Sequence, residues 1–301
     1  MTHKRVLVAG ATGRLGGIVD VLLDRGYSVR AMTRDPTSSA AALLRAAGAE
    51  VVYGDFDDPD SIEGAAAGVE AMFATGTAHR AGPDGELRHG RNLTHGAAAA
   101  GVPHLVYSSG DGAAADSPLP LFRVKHQVEQ YIHSLPIAHT ILAPVYFMEN
   151  LFNPWNLVAL QAGVLPSPID VDLPLQQVAL ADVASIAALA IERPEEFAGR
   201  RIKVASDELT ATDAADALAR LSGRPFSVHR LATSELGPGL RSLFAWLEQS
   251  GHDVDIPRLH GRYPHVRWHT YEKWLRSERS RLAALCPQGA RHRELGPIPF
   301  S

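Results

Sequence analysis

The chain has a single cysteine, no long apolar run and only a small net charge. Of its 301 residues, Cys286 alone is a cysteine, so a disulfide within the chain is impossible and a reducing compartment is expected. No apolar run approaches the ~20 residues that cross a bilayer. The first predicted strand begins at residue 5, which leaves no room for a signal peptide. A net charge of −4 gives no reason to expect nucleic acid or an anionic membrane as a partner. These absences predict a cytoplasmic protein.

Histidine is plentiful but scattered. The 14 histidines include no pair at metal-ligand spacing beside a carboxylate. His89 and His95 fall on one predicted helix, but six residues apart, which puts them on different faces. We therefore expect no metal site.

The first 25 residues have the pattern of a nucleotide-binding βαβ unit. The apolar residues 5–9 predict a buried parallel strand, and the amphipathic residues 18–25 predict the first helix. Between them lie Gly10, Gly13 and Gly16. In such a turn one glycine makes the tight bend, one lets the backbone approach a pyrophosphate, and one lets helix and strand pack closely. The N–H groups at the start of the helix then face the phosphate charge. A glycine-rich turn that only connects two elements is the alternative.

The second predicted strand, residues 28–33, ends without the acidic residue that would hold the adenosine ribose of NAD. Arg34 follows it directly, and Asp35 comes only afterwards. A guanidinium suits a 2′-phosphate at this point, because its planar fork binds two oxygens and keeps its charge. Arg14, within the glycine turn, is a candidate second clamp. The sequence therefore predicts NADPH as the preferred cofactor over NADH; two solvated surface arginines are the alternative.

Strands and helices alternate through the first half of the chain. Strands are predicted at 5–9, 28–33, 50–53, 71–75, 104–107 and 139–142, and helices at 18–25, 40–47, 60–67, 85–100 and 119–134. This alternation predicts an α/β fold with a doubly wound parallel Rossmann sheet and helices on both faces. Ligands bind beyond the carboxyl ends of such strands. The residues at those ends are Gly10, Arg34, Asp55, Thr75, Ser108 and Pro144.

The second half is less regular and predicts a smaller C-terminal α/β lobe. Helices are expected at 182–192, 210–222, 234–250 and 270–285, and strands at 201–205 and 226–231. Thr210 suits a helix N-cap and Gly223 a helix stop. We assign residues 1–145 to an NAD(P)-binding Rossmann domain and residues 146–301 to a substrate-binding lobe. A segment of about 176–206 is expected to return to the Rossmann sheet.

Several motifs, in this order, resemble one protein family. They are Val8-Ala9-Gly10-Ala11-Thr12-Gly13-Arg14-Leu15-Gly16, Thr33-Arg34-Asp35-Pro36, Gly54-Asp55-Phe56-Asp57-Asp58-Pro59, Val106-Tyr107-Ser108-Ser109 and Thr140-Ile141-Leu142-Ala143-Pro144. Together they resemble the NmrA-like proteins, atypical members of the short-chain dehydrogenase/reductase superfamily, over nearly the whole chain. The resemblance implies a Rossmann domain that binds NAD(P), with a smaller lobe over the nicotinamide.

The resemblance also implies a set of cofactor contacts, position by position. For the pyrophosphate they are Gly10, Thr12, Gly13, Arg14, Leu15 and Gly16. For the adenosine half they are Arg34 at the phosphate, with Asp55 and Phe56 beside the adenine. For the middle and the nicotinamide half they are Thr75, Gly76, Ser108, Lys125 at the ribose, Pro144, Val145, Tyr146 and Phe147.

The proton donor of the wider superfamily is missing from this chain. Its reductases place a Tyr four residues before a Lys; the phenol protonates the carbonyl oxygen as hydride arrives, and the ammonium holds the ribose. Here Lys125 is preceded at that spacing by Leu121, and the nearest aromatic residue, Phe122, has no proton to give. Lys125 and Tyr146 are the catalytic candidates, with water as a further proton source. The alternative for Lys125 is a solvated helix lysine paired with Glu129.

Aromatic residues after position 145 predict an apolar pocket for an acceptor molecule. The pocket candidates are His79, Phe147, Phe152 and Trp155, with Tyr146, Phe244 and Trp246 as further wall residues. Ordinary core packing is the alternative for the aromatic residues, and a solvated loop position is the alternative for His79.

Two classes of function remain open. The first is an NADPH-dependent reductase that transfers hydride to a small aromatic or conjugated acceptor, such as a quinone, an enone or an imine. The second is a non-catalytic NADP(H)-binding redox sensor, in which the cofactor reorders residues 77–85 and exposes a surface for a protein partner. The reductase is favoured because the lobe carries enough aromatic residues to build a substrate site. A monomer and a homodimer are both compatible with the sequence.

Overall fold

The computed structural model describes residues 4–76 and 78–285, without the side chains of residues 78–81 and 233. Its strands are β1 Arg5–Ala9, β2 Ser28–Thr33, β3 Glu50–Tyr53, β4 Ala71–Thr75, β5 His104–Ser108, β6 Ala138–Pro144, β7 Tyr146–Phe147, β8 Val164–Ser167, β9 Leu175–Val178, β10 Arg200–Val204, β11 Asp207–Leu209 and β12 Ser227–Arg230.

The α-helices are α1 Ile18–Asp24, α2 Ser39–Ala46, α3 Pro59–Ala66, α4 Ala78–Ala99, α5 Pro120–Ser134, α6 Pro154–Gln161, α7 Leu180–Glu192, α8 Pro194–Phe197, α9 Ala211–Ser222, α10 Pro238–Gln249, α11 Ile256–Arg262, α12 Tyr271–Ser277 and α13 Arg279–Leu285. Short 3₁₀ turns lie at Met148–Phe152 and Thr233–Glu235. As far as the described residues go, the chain divides into two compact units: unit 1 is Met1–Pro144 with Leu180–Val204, and unit 2 is Val145–Ala179 with Ala205–Ser301.

Unit 1 is built on one seven-stranded parallel sheet, in the order β10-β6-β5-β4-β1-β2-β3. The strand order reverses between β1 and β4, which confirms the predicted doubly wound Rossmann sheet. Strand β10 comes from the second half of the chain and pairs with β6, in a register that runs from Arg200 opposite Thr140 to Val204 opposite Pro144.

The central strands β1, β4 and β5 of this sheet are buried on both faces, as continuous apolar runs require. Val6, Leu7 and Val8 of β1 are at most 1% exposed. Helices α3, α4 and α5 contribute to the core on one face, where Ile62 and Leu93 pack with residues of several strands. Both side chains are fully buried. Burial of these apolar faces is what holds the carboxyl ends of the strands in line.

Helix α4 begins earlier than the sequence predicts. The pattern suggested a helix from residue 85, whereas the structure has helical backbone from Ala78 with a break at Gly82, whose φ of +65° interrupts it. Pro83 follows, and it cannot donate to the helical hydrogen-bond ladder. Because Gly82 and Pro83 interrupt the helical pattern of the sequence, its periodicity does not predict the helical turns before them. The expected loop of residues 77–85 is therefore mostly helical where it is described.

Unit 2 contains two small sheets, β11-β9-β7 and β12-β8, and the helices around them. Helix α9 has the predicted ends: Thr210 and Asp213 form a reciprocal capping box, and Gly223 closes the helix in the left-handed conformation. The predicted helix 270–285 is two helices, α12 and α13, that meet at Glu278. The core of this unit includes the fully buried side chain of Leu218.

No helix within residues 4–76 and 78–285 has the length and apolar character to cross a bilayer.

A buried histidine at the start of β5 makes the stability of unit 1 depend on pH. His104 is 2% exposed, and its Nε2 lies 2.9 Å from the hydroxyl oxygen of Thr140. That hydroxyl donates its own hydrogen to the carbonyl of Phe197, so His104 Nε2 must be the donor to Thr140. Nδ1 of His104 is buried and has no hydrogen-bond partner among the described residues. Burial, with a smaller effect from His139, lowers the pKa of His104 from 6.5 to about 4.

We expect the free energy of unfolding to fall as the pH drops from 6.5 toward 4. In that window the unfolded chain binds a proton that folded His104 does not, so stability rises with pH there. His104→Gln removes the titration and should flatten the pH dependence of the urea midpoint measured between pH 7.5 and 5. His95→Gln, which changes an exposed histidine, is the matched control and should keep the wild-type slope. Equal slopes for His104→Gln and the wild type would contradict the assignment.

Candidate functional site

The turn after β1 is tight and poor in side chains. Gly10 has a φ of +74°, and the N–H of Gly13 donates to the Gly10 carbonyl at 2.8 Å. A Cβ atom on Gly16 would lie 2.1 Å from the carbonyl oxygen of Ala11, so two backbone segments touch there and only hydrogen fits. The other candidates in the turn differ in exposure: Thr12, Gly13 and Arg14 are exposed, and Leu15 is buried. The turn therefore combines closely packed backbone at Gly16 with the exposed residues Thr12 and Arg14.

Phe56, after β3, and Thr75, the last residue of β4, meet this turn. A Cβ atom on Gly10 would lie 3.5 Å from Cγ2 of Thr75 and 3.8 Å from Cζ of Phe56. The half-buried Phe56 ring packs edge-on against the ring of His89, with 5.8 Å between the centroids. Three of the predicted contact residues, Gly10, Phe56 and Thr75, are thus brought together at one edge of the sheet.

The basic residue Arg34 and the acidic residue Asp35, which follow β2, have different surroundings. Arg34 is exposed, and its guanidinium makes no ion pair with another described residue. The Asp35 carboxylate is turned to its own loop, where Oδ1 accepts from the N–H of Thr37 at 2.9 Å and from the Thr37 hydroxyl. These hydrogen bonds lower the pKa of Asp35. Asp55, after β3, is half-buried, and its Oδ1 accepts from the N–H of Asp57 at 3.0 Å.

Lys125 is held by a buried carboxylate rather than by its neighbour on the same helix. Its Nζ donates to Oε1 of Glu86 on α4 at 2.8 Å. The Glu86 side chain is fully buried, and 13% of the Lys125 side chain is exposed. The alternative of a solvated Lys125 paired with Glu129 is therefore wrong. It fails because Glu129 is buried and bound elsewhere.

Glu129 and Arg201 fix the loop that follows β5. Oε1 of Glu129 accepts from the hydroxyl of Ser109, and Oε2 accepts from Nε of Arg201 at 2.9 Å. The same guanidinium donates to the carbonyl of Gly110 at 2.9 Å. Ser108 is the last residue of β5 and is 2% exposed.

A second contact from β10 reaches the same loop. The Lys203 ammonium lies 3.4 Å from the buried carboxylate of Asp111. The N–H of Asp111 donates to the carbonyl of Pro144, the last residue of β6, at 3.0 Å. Strand β10 therefore contributes two cations, Arg201 and Lys203, to the ordering of the loop after β5.

An apolar ring lies next to the position at which the superfamily has its proton donor, which is Leu121 in this chain. Phe122 precedes Lys125 by three residues, and its ring lies beside the loop after β5. A Cβ atom on Gly112 would be 2.1 Å from that ring, and one on Gly110 would be 3.7 Å from it. Neither Leu121 nor Phe122 carries a hydroxyl that could take the place of the superfamily's phenol.

Unit 2 contains a cavity of about 80 Å³ lined mainly by apolar side chains. Its lining includes Tyr146, Leu151, Ile169, Leu175, Phe244 and Tyr271. The rings of Tyr146 and Phe244 lie 6.2 Å apart. Burial raises the pKa of Tyr271, so its phenol stays protonated at neutral pH. The structure thus brings together two of the aromatic residues expected to form a wall.

Phe147, Phe152 and Trp155 are not among the residues that line this cavity. Phe152 is 4% exposed and packs against Trp274, with 5.7 Å between the ring centroids. Trp155 is 42% exposed on α6, and Phe147 is half-buried in β7. The side chain of His79 lies outside the described residues. Within the part of the chain that the structure describes, no group of His, Cys, Asp and Glu side chains is arranged to hold a metal ion.

A family model for NmrA-like proteins matches residues 2–238. The chain belongs to the NmrA-like family. This confirms the family that the motifs indicated, and it agrees with the Rossmann sheet of unit 1 and the glycine turn after β1.

Two relatives match this NmrA-like chain over about three quarters of its length. The NAD(P)H azoreductase of Xenophilus azovorans is 28% identical over 221 residues, which are 73% of this chain and 74% of the azoreductase. The (4-alkanoyl-5-oxo-2,5-dihydrofuran-3-yl)methyl phosphate reductase of Streptomyces griseus is 32% identical over 230 residues, 75% of this chain and 77% of the reductase.

A solved structure of a similar protein covers more of the chain. The NADPH-dependent quinone oxidoreductase of Escherichia coli superposes with a TM-score of 0.73 and 25% identity, and the match covers 90% of this chain and 98% of that one. All three of these similar proteins are named as reductases or oxidoreductases.

Sequence reasoning missed three residues of this edge: Glu86, Glu129 and Arg201. Two of them carried a signal. Glu129 follows the buried Val128 on α5 and is itself buried, although a glutamate is seldom fully buried unless it is paired. Glu86 is buried on α4 in the same way. A glutamate at a position where the helix pattern calls for an apolar residue indicates a buried cationic partner. The sequence does not identify which lysine or arginine that partner is.

Proposed function

We propose that this protein is a reductase that uses NADPH to reduce a small aromatic or conjugated acceptor, such as a quinone, an enone or an imine. The observation that carries the proposal is the meeting of the bare glycine turn with Phe56 and Thr75 at the carboxyl edge of the parallel sheet. Dinucleotides bind at this edge of doubly wound sheets. The names of the relatives support an NAD(P)H-dependent oxidoreductase.

The described residues fit a nicotinamide dinucleotide. The turn at Gly10, Gly13 and Gly16 is the proposed pyrophosphate site, because a side chain at Gly16 would block the backbone contact. Thr12, Arg14 and Leu15 complete that site in the proposal. Phe56 and Asp55 are the proposed neighbours of the adenine, and Thr75, Gly76 and Ser108 those of the central part.

The preference for NADPH over NADH rests on two side chains after β2. Arg34 has an exposed guanidinium that is available to two phosphate oxygens. In the exposed loop after Arg34, Oδ1 of the Asp35 carboxylate is already engaged by Thr37. A phosphate at this place would therefore gain the charge of the Arg34 guanidinium.

The proposed chemistry needs one hydride and one proton. NADPH, when bound, supplies the hydride from C4 of its nicotinamide. Lys125 would donate a hydrogen bond to the nicotinamide ribose, with Glu86 holding its ammonium, and Lys125 and Tyr146 are the proposed proton donors to the acceptor. Pro144, Val145 and Phe147 are the proposed border of the nicotinamide. Tyr146 follows the end of β6 by two residues and lines the apolar cavity of unit 2, which is proposed to take part of the acceptor.

We expect the protein to consume NADPH in the presence of at least one acceptor from a panel of quinones, enones and imines. The absorbance of NADPH reports the reaction directly. Activated acceptors should react because they take hydride without the phenol that the chain lacks. A simple ketone such as cyclohexanone is the control and should not be reduced. Tight NADPH binding with no turnover across the whole panel would contradict the reductase and favour the redox sensor.

Replacing Arg34 by Ala should weaken NADPH binding about tenfold and leave NADH binding nearly unchanged. The reason is the loss of charge-assisted hydrogen bonds to the 2′-phosphate, which NADH does not have. Fluorescence titration with both cofactors measures the two affinities. Arg45→Ala, which removes another exposed arginine close to this loop, should change neither. Equal losses for both cofactors in Arg34→Ala would contradict the preference.

A further inference from the structure

Glu86 carries a charge that the fold buries completely. Its side chain has no exposed surface, and its Oε1 accepts from Nζ of Lys125 at 2.8 Å. The two residues come from different helices, α4 and α5, and are separated by 39 positions in the chain. Neither the helix periodicity nor a local turn forces them together.

Stability does not explain why the pair is there. Taking two charges out of water costs free energy that their attraction often fails to offset, and an apolar pair of similar size is frequently as stable or more stable. A buried ion pair at the carboxyl edge of a Rossmann sheet therefore points to a functional role for one of its two charges. Lys125 is the partially exposed member, with 13% of its side chain accessible.

The end of β4 is shaped to admit this carboxylate. A Cβ atom on Gly76 would lie 2.0 Å from Oε1 and 2.4 Å from Oε2 of Glu86. Any side chain at position 76 would displace the carboxylate, and with it the ammonium of Lys125. The packing of Glu86 thus explains why position 76 is a glycine, independently of any contact with a cofactor.

A hydroxyl and a second carboxylate lie in the same region. The phenol of Tyr107 on β5 is buried and has no hydrogen-bond partner among the described residues. Burial raises the pKa of Tyr107, and the charges of Glu86 and Glu129 raise it further. Glu129 is committed to Ser109 and Arg201. Glu86 is consequently the carboxylate that sets the place of the Lys125 ammonium.

We infer that Glu86 is a positioning residue that holds the Lys125 ammonium against the end of β4, where the nicotinamide ribose is proposed to bind. The inference rests on the proposed function, since it assigns Lys125 a ligand. In this inference Glu86 acts on the cofactor through Lys125 and not by a contact of its own. Its contribution to NADPH affinity must therefore vanish when Lys125 has no charge.

A double-mutant cycle tests this directly, with NADPH as the probe and fluorescence titration as the readout. The variants are Glu86→Gln, Lys125→Met and the two together. Glu86→Gln should weaken NADPH binding about tenfold, the loss expected when a charge-assisted hydrogen bond is misplaced. In the Lys125→Met background, Glu86→Gln should have no further effect. An equal loss in both backgrounds, or no loss in either, would overturn the inference.

A second readout does not depend on the cofactor. Acetylation of lysines by an activated ester, followed residue by residue with mass spectrometry, should be slow at Lys125 in the wild type and faster in Glu86→Gln. Unchanged acetylation of Lys125 would count against the positioning role. Glu192→Gln is the matched control. Glu192 also forms an ion pair with an N–O distance of 2.8 Å, with Arg25, but both residues are exposed. This substitution should alter neither NADPH binding nor Lys125 acetylation.

These measurements distinguish a failure of the proposed function from a failure of the positioning role alone. If the wild type does not bind NADPH, the proposed function fails, and the positioning role fails with it. If the wild type binds NADPH and Glu86→Gln binds it equally well, only the positioning role is overturned. Should Glu86→Gln not fold, Glu86→Asp keeps the charge and shortens the side chain by one methylene. Weaker NADPH binding by that variant supports the inference, and unchanged binding overturns it.

Discussion

Two carboxylates buried at the carboxyl edge of the parallel sheet impose the main constraint on unit 1. Glu86 and Glu129 can be there only because a cation meets each of them, Lys125 in one case and Arg201 in the other. An unpaired charge at either place would cost several kcal/mol. The pairing joins α4 to α5, and α5 to β10. The segment that returns late in the chain is thereby tied to the loop that follows β5.

Much of unit 1 follows from local patterns. The apolar runs of the strands, the periodic helices between them and the glycine turn each predict their own element, and the alternation predicts the parallel sheet. The edge residues Gly10, Phe56 and Thr75 were predictable as neighbours, because the carboxyl ends of parallel strands share one edge. Family motifs and local physics agree here, since both depend on short stretches of sequence.

The rest depends on contacts between distant positions. Lys125 has an acidic residue, Glu129, four positions away on its own helix, which the sequence offers as the alternative partner. The fold instead gives it Glu86, 39 positions earlier. Sequence patterns predict β12 of unit 2 but not its strands β9 and β11, for a different reason. Strand β9 contains two glutamines, and β11 begins with Asp207 and Glu208, so neither has the apolar alternation that indicates a strand. These strands exist because partners are present, as in the pairing of Asp207 with Gln177.

The central claim is that a dinucleotide lies across the opening turn of unit 1. Hydrogen–deuterium exchange with and without NADPH tests it most directly, because the backbone amides of the turn would be shielded by the phosphates. The account predicts slower exchange in peptides that cover residues 10–17 and 33–36, and no comparable change in the helices at residues 211–222 and 238–249. Unaltered exchange over residues 10–17 at saturating NADPH would contradict it.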